Sequence, residues 1–100
     1  MENFNGLTPA ESERLAMLAE EAGEIVQIVG KILRHGYESY HPDDPSKKQN
    51  RWILQDEIND LVGVVYGMQA SADLSVMTMQ EHHRITAWER KLKYSHHQEK

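Results

Sequence analysis

No proline interrupts the chain between Pro9 and Pro42, and helix-start and helix-stop signals bracket most of that interval. Thr8-Pro9-Ala10-Glu11 is a strong start. Thr8 can cap, Pro9 takes a first helical position where its missing N–H costs nothing, and Glu11 completes a capping box. Gly36 is the stop, preceded by Lys31, Arg34 and His35 near the negative end of the helix dipole. These signals predict a helix over Pro9 to His35, roughly 40 Å long. Its apolar residues Leu15, Leu18, Ala22, Ile25, Val29 and Ile32 recur in steps of three and four, as one continuous stripe.

Gly36 to Lys48 has no period and reads as a loop. Asp44-Pro45 offers a cap and a first position for a second helix, predicted over Pro45 to Ala70. Its stripe is Leu54, Ile58, Leu61, Val65 and Met68. Gly63 and Gly67 fall inside it, each costing up to about 1 kcal/mol against alanine, and close helix packing is their expected reason. Ser71 to Met77 connects to Thr78-Met79-Gln80-Glu81, a second capping box, and to a third helix over Met79 to Tyr94. The apolar face of that helix is thin: Ile85, Trp88 and Leu92.

The expected fold is therefore one all-α domain over residues 1–100, a long antiparallel helical hairpin plus a third helix. Such a hairpin leaves half of each stripe in water, and a chain this short buries little surface alone. A homodimer or homotetramer sharing a four-helix bundle is the expected remedy.

Composition narrows the function. Sixteen Asp and Glu face eleven Lys and Arg, a net charge of −5, which argues against binding a nucleic acid polymer. With no cysteine there is neither a disulfide framework nor a thiolate zinc site. No apolar run approaches the roughly 20 residues of a membrane span, and the first eight residues lack the features of a secretory signal. A cytoplasmic protein is expected. The histidine pairs His82-His83 and His96-His97 diverge by about 100° on a helix. The one Glu-x-x-His match, Glu38 to His41, lies in the loop, so a di-iron bundle site is disfavoured.

The carboxylates are less ordinary. Glu21 and Glu24 edge into the apolar arc of the first helix, with Ile28 projecting between them. Glu57 and Asp60 fall among apolar positions of the second. Burying an unpaired charge costs several kcal/mol, so acids in such a seam need cations. Glu21-x-x-Glu24 and Glu57-x-x-Asp60 are both i, i+3 pairs, whose members point the same way. Antiparallel helices can gather all four around one space. Hard oxygen ligands without histidine or cysteine suit Mg²⁺, or Mn²⁺, better than zinc. With these four set aside, 12 acids face 11 bases, and the chain is nearly neutral.

Glu20-Glu21-Ala22-Gly23-Glu24 followed by Glu57-Ile58-Asn59-Asp60-Leu61 resembles the E-E-x-x-E … E-x-x-D pattern of the MazG-like all-α nucleoside triphosphate pyrophosphohydrolases. The surrounding Leu18 to Gln27, Gly30 to Gly36 and Gln55 to Leu61 agree. The chain is most similar to the short stand-alone bacterial and phage members, over about residues 14 to 70. The interval between its half-motifs is longer than usual. The resemblance implies Mg²⁺-dependent hydrolysis of a nucleoside triphosphate, a deoxy or non-standard one, to monophosphate and pyrophosphate. It implies metal ligation by Glu21, Glu24, Glu57 and Asp60, with Glu20 or Glu24 taking a proton from the attacking water. Lys31, Arg34 and Lys91 are the expected contacts to the outer phosphates. Trp52, Tyr37, Tyr40 and Trp88 offer stacking surfaces, and Asn59 is expected to point away from the carboxylates. Two rival readings are a phosphoribosyl-ATP pyrophosphohydrolase on the same helices and a non-catalytic helical oligomerisation module.

Overall fold

A computed structural model describes residues 4–75 and 81–99. The described residues form three helices and no strand: α1 Pro9–His35, α2 Asn50–Ala70 and α3 Glu81–Leu92. None is long and apolar enough to cross a membrane.

The start of α1 is a complete capping box. The Thr8 hydroxyl accepts the Glu11 N–H at 3.1 Å, and the Glu11 carboxylate accepts the Thr8 N–H at 2.8 Å. At the far end Gly36 adopts φ 91°, a conformation only glycine takes freely, and its N–H donates to the Ile32 carbonyl at 2.7 Å.

α2 begins five residues later than the Asp44-Pro45 signal suggested. Asp44 does not cap a helix. Its carboxylate accepts the N–H and hydroxyl of Ser46, at 2.9 and 2.7 Å, and the N–H of Lys48 at 3.3 Å. This is a side-chain-closed turn, which competes with helix initiation for the same aspartate. Lys47 follows with φ 55°, where a β-carbon disfavours any helical continuation. The first amides of α2 are instead satisfied by the loop. Asn50 N–H donates to the Ser39 carbonyl at 2.8 Å and Arg51 N–H to the Tyr37 carbonyl at 3.0 Å. Arg51 also pairs with Glu38 at 2.6 Å and lies 4.4 Å over the Tyr37 ring.

α1 and α2 form the one extensive helix pair among the described residues. On α1 the residues turned towards α2 are Leu18, Glu21, Ile25, Ile28 and Ile32; on α2 the inner residues include Asn50, Leu54, Glu57, Leu61, Val65 and Met68. Both series step in threes and fours. At the turn after α2, Arg14 grips Asp73 through two hydrogen bonds, of 2.6 and 3.0 Å.

Only one edge of the apolar stripe expected on the first helix is covered by the second. Ile28 and Met68 are the only buried apolar residues among those described. Leu15, Val26, Val29 and Leu33 of α1 and Ile58, Val62 and Tyr66 of α2 are exposed, Leu33 at 82%. An α-helix this rich in apolar residues covers more arc than one neighbour can bury.

The expectation of close helix packing at Gly63 and Gly67 is not met within the chain. A β-carbon at either would meet nothing within 4 Å. α3 ends at Leu92, two residues before the expected Tyr94, its last turn loosening through Tyr94 N–H to Lys91 and Ser95 N–H to Leu92. The expected Thr78 capping box and Met79 start lie outside the described residues.

Candidate metal centre

The middle of the α1–α2 seam is acidic. Glu21 and Glu57 each occupy an inward position with apolar residues one turn before and after. A carboxylate oxygen from each of Glu21, Glu57 and Asp60 lies within 4.8 Å of the others. Glu21 Oε2 and Glu57 Oε2 are buried and accept no hydrogen bond among the described residues. Two orphaned buried carboxylate oxygens beside a third acid are costly in a bare protein. They suit a small divalent cation, and the all-oxygen donor set suits Mg²⁺ or Mn²⁺.

The electrostatics agree. Glu57 is pushed up to about 7, first by the adjoining Glu24 carboxyl, which favours a proton held between the two, then by burial. The charges of Glu24, Asp60 and Glu21 add to this. Glu21 is raised chiefly by burial, then by Glu24, Asp60 and Glu20. A cation placed among these acids would relieve that mutual repulsion.

Of the four carboxylates proposed from spacing, three converge. Glu24 lies outside the three-oxygen cluster but beside Glu57; the two share a cavity of about 290 Å³ with Gln27, Ile28, Lys31 and Ile53. Glu20 is exposed and reaches the cluster only through its charge on Glu21. Lys31 borders both the Glu24–Glu57 cavity and a neighbouring one that holds Arg34. Lys91 is exposed on α3 and borders neither. Trp52 and Trp88 are half exposed and also border neither, whereas Tyr40 lines the Arg34 cavity and Tyr37 sits under Arg51.

On the opposite side of the cluster a cavity of about 560 Å³ is lined by Arg14, Met17, Glu21, Asn59, Asp60, Gly63, Val64 and Gly67. The two glycines form its open floor. Asn59, expected to point away from the carboxylates, is exposed at the border of this cavity, and its side-chain oxygen accepts the Gln55 amide at 3.2 Å. Arg14, the remaining charged residue on this wall, has no sequence signal of its own. Its partner Asp73 is 59 residues away, and no local spacing announces such a pair.

Comparison with protein-family models returned no match, and comparisons with curated proteins and with solved structures returned none either.

Proposed function

We propose that the chain is a Mg²⁺-dependent nucleoside triphosphate pyrophosphohydrolase, releasing a nucleoside monophosphate and pyrophosphate. The observation that carries this reading is the meeting of Glu21, Glu57 and Asp60 oxygens within 4.8 Å, where Glu21 and Glu57 each also have a buried oxygen with no partner among the described residues. The resemblance of Glu20 to Glu24 and Glu57 to Leu61 to the MazG-like pattern supports the reaction class. Glu21, Glu57 and Asp60 would hold the ion, with Glu24 adjoining. Bound there, Mg²⁺ supplies charge neutralisation for the phosphates and acidifies a water. Glu24, half-buried and beside Glu57, is better situated than the exposed Glu20 to take the water's proton. Lys31, on the same cavity as Glu24, supplies positive charge to the phosphates.

The reading includes assembly. Exposed Val26, Leu33 and Tyr66 supply an apolar face of the kind that pairs in a four-helix bundle, and a homodimer or homotetramer is proposed on that ground. The same face favours the alternative of a non-catalytic oligomerisation module. A pyrophosphate-release screen over canonical and modified triphosphates, with Mg²⁺ or Mn²⁺, tests the reading. Turnover abolished by Glu57→Gln supports it, and no turnover on any triphosphate gives way to the module.

A further inference from the structure

Beyond Lys31 the groove opens into a cavity of about 440 Å³, walled by the end of α1, the loop and the first turns of α2. Its lining includes Lys31, Arg34, His35 and His41 but no carboxylate, in a chain whose net charge is −5. Neither Lys31 nor Arg34 is in an ion pair among the described residues. His41 Nδ1 accepts the Asp43 N–H at 3.1 Å, which leaves Nε2 as the ring nitrogen able to donate. The Asp43 carboxylate stands 4.0 Å from that Nδ1 on a fully exposed side chain. Asn50, 5% exposed, also lines the cavity. It spends one amide hydrogen on the Gly36 carbonyl at 3.3 Å and keeps the other.

The wall is set in advance. The Tyr37 and Ser39 carbonyls are tied to the first amides of α2, and Glu38 to Arg51. The cavity shares Lys31 and Ile53 with the one holding Glu24 and Glu57, so the two adjoin across those side chains. From Glu24 to Arg34 the helix climbs about 15 Å. The other side of the carboxylates is different in charge. There the one cation, Arg14, is already neutralised by Asp73, and the floor is the open backbone at Gly63 and Gly67.

We infer that the substrate lies along this groove with one polarity, an inference that rests on the pyrophosphohydrolase reading. The two outer phosphates enter the loop cavity against Lys31, Arg34 and His41. The nucleoside lies on the opposite side, over Gly63 and Gly67 and beside Asn59. Hydrolysis in that pose bonds a water oxygen to the α phosphorus and breaks its bond to the α–β bridging oxygen. The bond's electron pair leaves on pyrophosphate, and the water proton passes to Glu24. Pyrophosphate is thus released in the loop cavity and the monophosphate on the glycine side. His41 and Asn50, which have no part in the metal centre, acquire a role as anion donors.

Calorimetric titration of the intact protein in Mg²⁺ separates the two ends, using inorganic pyrophosphate and the monophosphate of whichever triphosphate is hydrolysed fastest. Arg34→Gln and Lys31→Gln should each weaken pyrophosphate binding about tenfold or more, the loss of one charge-assisted hydrogen bond. They should leave monophosphate binding within about twofold, as independent sites do. Gly63→Val should do the reverse. Circular dichroism confirms that each variant keeps its helices. Pyrophosphate affinity unchanged in both cation variants, or monophosphate affinity lost in their place, overturns the polarity, as does a wild-type protein that does not bind pyrophosphate. If triphosphates are hydrolysed and pyrophosphate binding ignores Arg34 and Lys31, the polarity fails while the hydrolase stands. If no triphosphate is hydrolysed yet both variants lose pyrophosphate, the hydrolase reading fails and the anion cavity stands.

Discussion

Arg14 holds Asp73 with two parallel hydrogen bonds, Nε to Oδ2 at 2.6 Å and Nη2 to Oδ1 at 3.0 Å, fastening the beginning of α1 to the turn after α2. Both side chains are largely covered, and forked pairs of this kind are stronger than single surface ion pairs. Asp73 is held below its ordinary range, first by the hydrogen bonds from Arg14. An acid with a depressed native pKa contributes stability above its unfolded value and loses it as pH falls through the native one. Asp73→Asn should therefore lower the melting temperature by a few degrees at pH 7 and by less near pH 3. A pair of thermal scans at those pH values checks it.

The sign reverses at Glu57. Its native pKa, about 7, lies above the ordinary 4.5, and Glu21 is also raised. Between those values the unfolded chain binds fewer protons than the native one, so stability falls as pH rises from about 4.5 to about 7. In EDTA the melting temperature should decline over that window. Millimolar Mg²⁺ should restore it at pH 7, because an ion bound to the native state alone stabilises it. Glu57→Gln should flatten the pH dependence and abolish the Mg²⁺ response, as followed by thermal shift.

Loss of a proposed ligand should spare the fold. Glu57→Gln and Asp60→Asn keep side-chain volume and remove charge from a crowded site. Pyrophosphate release should fall by more than about 100-fold, above the 10–100-fold typical of outer-shell partners. Helicity should be unchanged by circular dichroism. Retained turnover in both would dismiss the carboxylates as the metal centre.

The exposed apolar face makes a separate prediction. Val26 and Leu33, 71% and 82% exposed, would be indifferent to charge in an isolated hairpin. If they pair with a second copy, Val26→Glu with Leu33→Glu should dissociate the assembly and lower its melting temperature. Light scattering on the eluting peak reads the mass directly. An unchanged mass would remove this face from the interface.

How much of this was legible depends on how local each determinant is. The bounds of α1 follow from Thr8, Pro9, Glu11 and Gly36, whose signals act within a single turn. Asp44-Pro45 is equally local but ambiguous, since the same aspartate can close a turn or cap a helix. The Tyr37 and Ser39 carbonyls, more than ten residues upstream of the amides they accept, settle where α2 begins. Glu21, Glu57 and Asp60 were readable because helical periodicity alone sets them among apolar neighbours. That Glu24 falls just outside their cluster depends on where long side chains end, which periodicity does not carry. Nothing in the sequence links Arg14 to Asp73.

The loop grips α2 through main-chain carbonyls at Tyr37 and Ser39, and that has an evolutionary corollary. Carbonyl groups are the same whatever side chain accompanies them. Tyr40, His41 and Pro42, which line the cavity next door, can therefore be exchanged without unfastening the helix that carries Glu57 and Asp60. A lineage built on this chain could vary those positions freely while the carboxylates of the second helix kept their places.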